Sequence, residues 1–307
     1  MSEVFTRGLG NQCRADKPTV SPGNIAPSQE TIGGPASPRP INSIFHSRKM
    51  TTPADSVDLA VAAWHDAIET FCRLQSKGYV KEGPHGTRSI MSGTPVSVLN
   101  AVISTTRKPD IAELSAFAAS YSNDGLPWSI QLRANPVPSV IAQVAANRGL
   151  TKSFILPFMI KHLEADDTNA TPLDKISVRR VPAEDHDTYN SALAAGYEAP
   201  DQVFRGFSAP NVLSAKGMTA YLVEEDGTPV ATSFGVLANG HVGVFNISTR
   251  PAYRRRGYAR AATTAVLRDA YTQGARTAFL HCTPAGRGVY ESLGFATCEE
   301  WQVYAAP

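Results

Sequence analysis

Cysteine is scarce in this chain. Four among 307 residues, Cys13, Cys72, Cys282 and Cys298, lie scattered, with no CxxC pair and no Cys/His cluster at metal spacing. A disulfide framework is therefore not expected, and a metal site has no ligand set in sequence. Reduced thiols in a cytoplasmic protein are the expectation. No run of about 18 apolar residues exists, so no transmembrane helix is expected. Residues Met1 to Arg7 offer no apolar stretch of the signal-peptide kind. Nor is there an excess of one charge: Lys plus Arg is 29 against 27 for Asp plus Glu, a formal net charge of +2. A dedicated nucleic-acid binder needs a strongly basic face, so neither nucleic acid nor membrane is expected as a partner.

What is present is an ordinary globular composition, 42% hydrophobic, at a length that suggests two domains of roughly 150 residues. Residues 1–54 stand apart, with Pro18, Pro22, Pro27, Pro35, Pro38 and Pro40 and no apolar period. They read as a disordered extension. Residues 55–165 then alternate helical and extended patterns. Val57, Ala60, Val61, Trp64, Ile68 and Phe71 mark one face of a helix. Val96 to Ile103 reads as a buried strand, Pro109-Asp110 opens a helix, and Trp128 to Leu132 is a strand by alternation. Val137 to Asn147 is a helix, and Phe154 to Leu163 a final strand. Residues 166–173 are polar, end near Pro172, and read as a linker.

From 174 to 307 a second unit follows. Asp226-Gly227 and Asn239-Gly240 each separate apolar runs, which is the signal of tight hairpins. Three antiparallel strands therefore come in series. A helix from Gly257 to Thr272, a strand from Thr277 to His281, a short helix at Tyr290 and a strand from Trp301 to Tyr304 complete the unit. The expected class is α/β (α+β), with two units that each form a mixed, largely antiparallel sheet flanked by helices.

The sharpest local signal is Arg254-Arg255-Arg256-Gly257-Tyr258-Ala259, between the end of a strand and the start of a helix. A helix N-terminus has unpaired N–H groups and a partial positive charge. Gly257 has no Cβ to obstruct a bulky anion, and small Ala259 keeps the next gap open. The arginines add charge. The segment reads as a phosphate cradle or, alternatively, as a solvated basic turn. It is neither a P-loop nor a dinucleotide fingerprint, because the required glycine and lysine spacings are absent.

Downstream lies Val289-Tyr290-Glu291-Ser292-Leu293-Gly294-Phe295. The two segments, separated by a helix and a strand and preceded by three antiparallel strands, resemble the GNAT superfamily of acetyl-CoA-dependent N-acetyltransferases over residues 174–305. The resemblance implies that Arg254, Gly257 and Ala259 form the pyrophosphate loop, with N–H groups from Arg255, Arg256, Gly257, Tyr258, Ala259 and Arg260. It implies that Ile247, Ser248 and Thr249 pair with the pantetheine arm and help polarise the thioester carbonyl. It implies that Tyr290 is the general acid that protonates the departing thiolate. Acetyl-CoA is then the acyl donor, no metal is involved, and the acceptor is an amine on a small molecule or a protein. A homodimer is compatible with the same resemblance.

Two positions depart from the family. Thr283 stands where an asparagine often contacts the cofactor, and no glutamate occurs from Val230 to Thr249 to serve as base. An attacking amine must lose a proton, best to a group with pKa near 7. His241 and His281 are the candidates, each otherwise a surface or packing histidine. Asn246 could position a water, and Glu224 and Glu225 read as a solvated turn. Glu184, Asp185, Asp187, Glu198 and Asp201 read as a solvated helix face and loop, or as a lure for a cationic amine. The first unit has the same strand–helix succession, like a degenerate GNAT copy. Its corresponding loop, Thr105 to Asp110, has a proline and no glycine, so scaffold and cleft wall are its expected roles. A non-catalytic module that binds acyl-CoA or a protein partner is the alternative to an enzyme.

Overall fold

Helix α1, Ala54–Arg73, forms where the apolar residues recur every three to four positions. Val57, Ala60, Trp64, Ile68 and Phe71 all point inward and are buried. The structure is a computed structural model that describes residues 54–133, 136–168 and 176–307, all of which belong to one compact unit. The expected extension at 1–54 lies outside the described residues except for Ala54, and most of the expected linker (from 169 onward) does too.

After α1 come β1 (Tyr79–Glu82), β2 (Thr87–Met91), β3 (Asn100–Ser104), α2 (Ile111–Ser120), β4 (Ser129–Leu132), α3 (Ser139–Asn147) and β5 (Lys152–His162). The later elements are β6 (Ile176–Arg180), α4 (His186–Tyr197), β7 (Met218–Glu225), β8 (Thr228–Ala238), β9 (His241–Thr249), α5 (Tyr258–Thr272), β10 (Thr277–His281), α6 (Arg287–Ser292) and β11 (Ala296–Ala305). Two short helical turns, Arg205–Ser208 and Pro210–Leu213, lie between α4 and β7. Among the described residues no helix is long and apolar enough to cross a membrane.

The sequence reading misses β1 and β2, because that region is a short hairpin with mixed polar residues. Its strand from Val96 begins instead with a 3₁₀ turn at Ser97–Leu99, and pairing starts only at Asn100. The last strand is longer than the stretch from Trp301 to Tyr304, since it starts at Ala296. The two hairpin turns do form at Asp226-Gly227 and Asn239-Gly240, with positive φ at all four residues, as tight hairpin turns of this type require.

All eleven strands make one sheet, in the order β1-β2-β3-β4-β11-β5-β10-β9-β8-β7-β6. It is largely antiparallel: only β3–β4 and β9–β10 run parallel. Two sheets are expected from the sequence, and the arrangement of β5 and β11 explains why there is one. β11 pairs with β4, and β5 pairs with β10. The last strand of each half thus lies beside the penultimate strand of the other, and the two last strands pair with each other over most of their length.

The helices cover both faces. On one, α1 and α4 enclose a core with fully buried Tyr189, Phe158, Phe279 and Trp301. Trp64 of α1 meets Trp301 edge-on at 5.1 Å. On the other face α5 packs Ala265, Val266 and Ala270 with Leu280 and Phe295. α2 and α3 cover the β3–β4 end with Leu114, Ile130 and Ile141.

An ion cluster with a buried Arg133–Glu299 pair at its centre also joins the halves. Arg133, after β4, donates to Glu299 of β11 at 2.6 and 3.0 Å and to Asp58 of α1. Arg107 reaches the same two carboxylates, and the Trp301 indole donates to Glu299 at 2.9 Å. Burial alone would lower the Arg133 pKa; Glu299 and Asp58 outweigh it and raise it. Arg133 also donates to the Thr105 carbonyl. The loop from Thr105 to Asp110 is therefore committed to this cluster.

Candidate functional site

The site begins with an irregularity in β9. Opposite Ser233 of β8, where one residue should pair, β9 presents two, Asn246 and Ile247. Asn246 takes a positive φ of 52°. Such a bulge bends its strand and increases its twist. β9 accordingly pairs with β10 only from His241 to Gly243, and beyond that point the parallel strands diverge. The edge of β9 from Val244 to Thr249 has no strand beside it on the β10 side among the described residues.

Alternation along an antiparallel pair decides which groups face this gap. Arg250 N–H bonds Val230 O at 2.9 Å, so the backbone groups of Ser248 also turn toward β8, and those of Ile247 and Thr249 turn into the gap. The two carbonyls are already engaged. The Tyr197 hydroxyl donates to Ile247 O at 3.3 Å, and Arg254 Nε donates to Thr249 O at 3.1 Å. The N–H groups of Ile247 and Thr249 are the donors left for an extended ligand. The Ser248 hydroxyl is buried against Thr232 Oγ1 at 2.8 Å and its backbone faces β8, so of the three expected residues Ser248 offers no group to the gap.

At the end of the gap the chain turns through Pro251–Tyr253 into α5. Gly257 is the N-cap, with φ of 90°, and no side chain caps the helix. The first bond of α5 runs from Ala261 N–H to Gly257 O. The N–H groups of Tyr258, Ala259 and Arg260 are thus the unpaired first turn of a helix. Arg255 also has a positive φ, 65°, two residues before Gly257.

The arginines divide their work. Arg255 is exposed. Arg256 lies 5.4 Å over the Tyr253 ring and 3.7 Å from Glu225. The Tyr258 hydroxyl donates to Glu225, which raises the Tyr258 pKa. Arg254 turns away from the cradle: its Nη2 donates to Gly196 O at 3.0 Å and to Glu198 Oε2 at 2.8 Å. It braces the end of α4 against β9. Arg260 donates to Ser292 Oγ at 2.7 Å and ties α5 to α6, the helix that carries Tyr290.

Tyr290 is buried beside Phe295, with ring centroids 6.0 Å apart at 70°. Burial, and then the Cys282 thiol, raise its pKa above the ordinary value, so the phenol keeps its proton at neutral pH. Gly286 faces it so closely that a Cβ there would lie 3.0 Å from the ring. Burial first, and then the Tyr290 phenol, raise the Tyr197 pKa above its ordinary value.

The two histidines separate. His241 starts β9, six residues or roughly 20 Å of strand before Ile247, and bonds the Asn239 carbonyl at 2.8 Å. It is not at the gap. His281 ends β10 where the strands part, and the rings of Trp301, Phe158 and Trp64 surround it at 4.7, 5.0 and 5.4 Å. Burial pushes its pKa down to about 3, against a smaller pull from the Pro157 and Leu156 carbonyls.

Three of the five acids of 184–201 have other partners. Asp185 pairs with Arg179, Glu198 with Arg254, and Asp201 accepts from Ser191. Glu224 is bound to Arg179 as well. Among the described residues no group of three or more His, Cys, Asp or Glu could hold a metal ion. The sequence gives no hint of Gly196 and Tyr197, which end an ordinary-looking helix. Only the tertiary fold places Gly196 where a Cβ would meet the Ser248 hydroxyl at 2.2 Å.

Residues 184–295 match the acetyltransferase (GNAT) family, and so contain both the cradle and Tyr290. No curated protein matches the chain. Among solved structures, a GCN5-related N-acetyltransferase from Kribbella flavida is 21% identical, with a TM-score of 0.56, over 81% of this chain and 95% of that one. A functionally unknown conserved protein from Staphylococcus epidermidis is 12% identical, with a TM-score of 0.56, over 78% of this chain and 98% of that one. At these identities the likeness is one of fold.

Proposed function

We propose that the GNAT domain makes this protein an N-acetyltransferase, with acetyl-CoA as donor and an amine as acceptor. One observation carries the reading: an uncapped helix N-terminus at Gly257 stands at the open end of a gap between parallel strands. A ligand with an anionic pyrophosphate and an extended amide arm fits that combination. The first-turn N–H groups of Tyr258, Ala259 and Arg260 would hold the pyrophosphate, with charge from Arg255 and Arg256. The N–H groups of Ile247 and Thr249 would hold the arm and the thioester carbonyl.

Acetyl-CoA supplies a thioester whose carbonyl carbon accepts the amine lone pair directly. As the C–N bond forms and the C–S bond breaks, Tyr290 gives its phenolic proton to the departing sulfur. The amine nitrogen loses one proton to solvent, and one proton returned from solvent restores Tyr290. His281, with its depressed pKa, acts as a neutral hydrogen-bonding group rather than as the base.

The N-terminal half is proposed to be a degenerate copy of the domain. The succession β3–α2–β4–α3–β5 repeats as β9–α5–β10–α6–β11, each with its first two strands parallel. Its loop at Thr105–Asp110 is filled by ion pairs, so it serves as scaffold.

The test is thiol release from acetyl-CoA by the purified protein against a panel of amines, with calorimetry of acetyl-CoA alone. Binding with turnover supports the proposal. Binding without turnover on any amine favours the non-catalytic module, and absence of binding removes the cofactor site.

A further inference from the structure

On the α1 face, the diverging strands open into a cleft with a cavity volume of about 90 Å³. Both halves build it: Trp64, Ile68 and Phe71 from α1, Phe207 from the short helix before β7, and Phe245 from β9. Among the described residues no Asp, Glu, Lys or Arg lines it.

The lining is nevertheless not simply greasy. Three polar side chains on its wall have buried atoms short of a well-formed hydrogen bond: Oε1 of Gln131, Nδ2 of Asn246 beside the Tyr189 hydroxyl, and the ring nitrogens of His281 beside the Pro157 and Leu156 carbonyls. The Gln131 amide cannot be turned to exchange these roles, because its Nε2 donates to Val98 O at 2.8 Å. A buried polar atom left poorly paired is costly, and three such side chains around one cleft are a pattern waiting for a ligand. They offer a lone acceptor, a lone donor, and a neutral imidazole that can do either.

We infer that the cleft selects the acyl acceptor, and that this acceptor is a small amine with an uncharged aromatic or aliphatic body bearing a neutral hydroxyl or amide group. The body lies among Trp64, Ile68, Phe71 and Phe207, the neutral polar group meets His281 and Gln131, and the amine reaches the β9–β10 gap beside Asn246. A polycationic acceptor is disfavoured, because no carboxylate on the wall compensates its charges. A long acyl chain on the donor is disfavoured too, because it would leave all three polar groups unmet. The apolar wall also disfavours the ammonium form of the entering amine, which removes the need for a strong protein base. This inference rests on the acetyltransferase reading for its chemistry, but not for the binding itself.

The test uses the full chain with four probes: tyramine, 2-phenylethylamine, spermidine and hexanoyl-CoA. Binding of each amine alone is followed by calorimetry, and acetyl transfer by thiol release. Tyramine is expected to exceed spermidine roughly 100-fold in affinity or kcat/KM, and to exceed 2-phenylethylamine roughly 10-fold through its hydroxyl. Phe207→Asp should reduce tyramine kcat/KM at least about 10-fold, with acetyl-CoA affinity unchanged. If that variant fails to fold, the wild-type ratios still decide. Spermidine equal to or better than tyramine overturns the inference, as does hexanoyl-CoA binding with no amine bound. If acetyl-CoA does not bind but tyramine does, the donor reading fails and the cleft assignment stands.

Discussion

Arg254 and Glu198 are 2.8 Å apart, and the contact joins the loop after β9 to the left-handed C-cap of α4. The same guanidinium holds Gly196 O and Thr249 O. The first arginine of the motif thereby shapes the cradle rather than lining it. Arg254→Ala should lower the melting temperature modestly and weaken acetyl-CoA binding by less than about 10-fold, since the partly exposed pair is worth roughly 0–1 kcal/mol. Gly257→Glu should abolish binding, by adding a carboxylate where the pyrophosphate is proposed to sit and a Cβ at a φ of 90°. Calorimetry of the two variants with acetyl-CoA checks the order, and circular dichroism checks the fold. Equal losses would show that Arg254 contacts the ligand.

Tyr290→Phe keeps the ring against Phe295 and removes one hydroxyl. Turnover is expected to fall roughly 10²–10⁴-fold, the usual contribution of a positioned acid, with little change in acetyl-CoA affinity. Because burial raises the Tyr290 pKa, the wild type should lose no activity through this group below pH 10. A Phe variant with wild-type turnover would transfer the role elsewhere.

His65 is buried and His281 half-buried with both ring nitrogens out of solvent, and this burial depresses both pKa values to about 3. The folded state thus binds fewer protons than the unfolded chain, whose histidines titrate near 6.5. Their full contribution is present above about pH 6.5 and is lost as pH falls toward 3, by roughly 1 kcal/mol per pH unit for each histidine. Urea midpoints measured from pH 7 to pH 4 should fall, and His281→Asn should flatten the profile. A profile unchanged by that substitution would place the acid sensitivity in other groups.

Arg133→Ala leaves Glu299 buried without its main partner. The expected loss is about 3 kcal/mol in urea unfolding, because an uncompensated buried charge remains. Adding Glu299→Gln should recover part of it, since the charge is then gone. A single variant as stable as wild type would mean that Arg107 alone neutralises Glu299.

Local chemistry made much of this protein legible. The spacing of Val57, Trp64, Ile68 and Phe71 specifies α1, because a 3.6-residue period puts those side chains on one side. Asp226-Gly227 and Asn239-Gly240 specify their hairpins, because those residues accept positive φ cheaply. Gly257 beside the arginines marks the proposed anion site, because an uncapped helix start has the same donors in any fold. Other features depend on residues far apart in the chain. Nothing near Lys152 or Ala296 announces that β5 and β11 lie side by side between β4 and β10. Strand partners are chosen by the packing of whole faces, not by the strand's own residues. His241 and His281 look alike in sequence, yet the divergence of β9 from β10 puts only the second at the gap. The cleft itself is made of side chains more than a hundred residues apart, from Trp64 to Phe245. Its unmet polar atoms exist only because the fold withdraws Gln131, Asn246 and His281 from water.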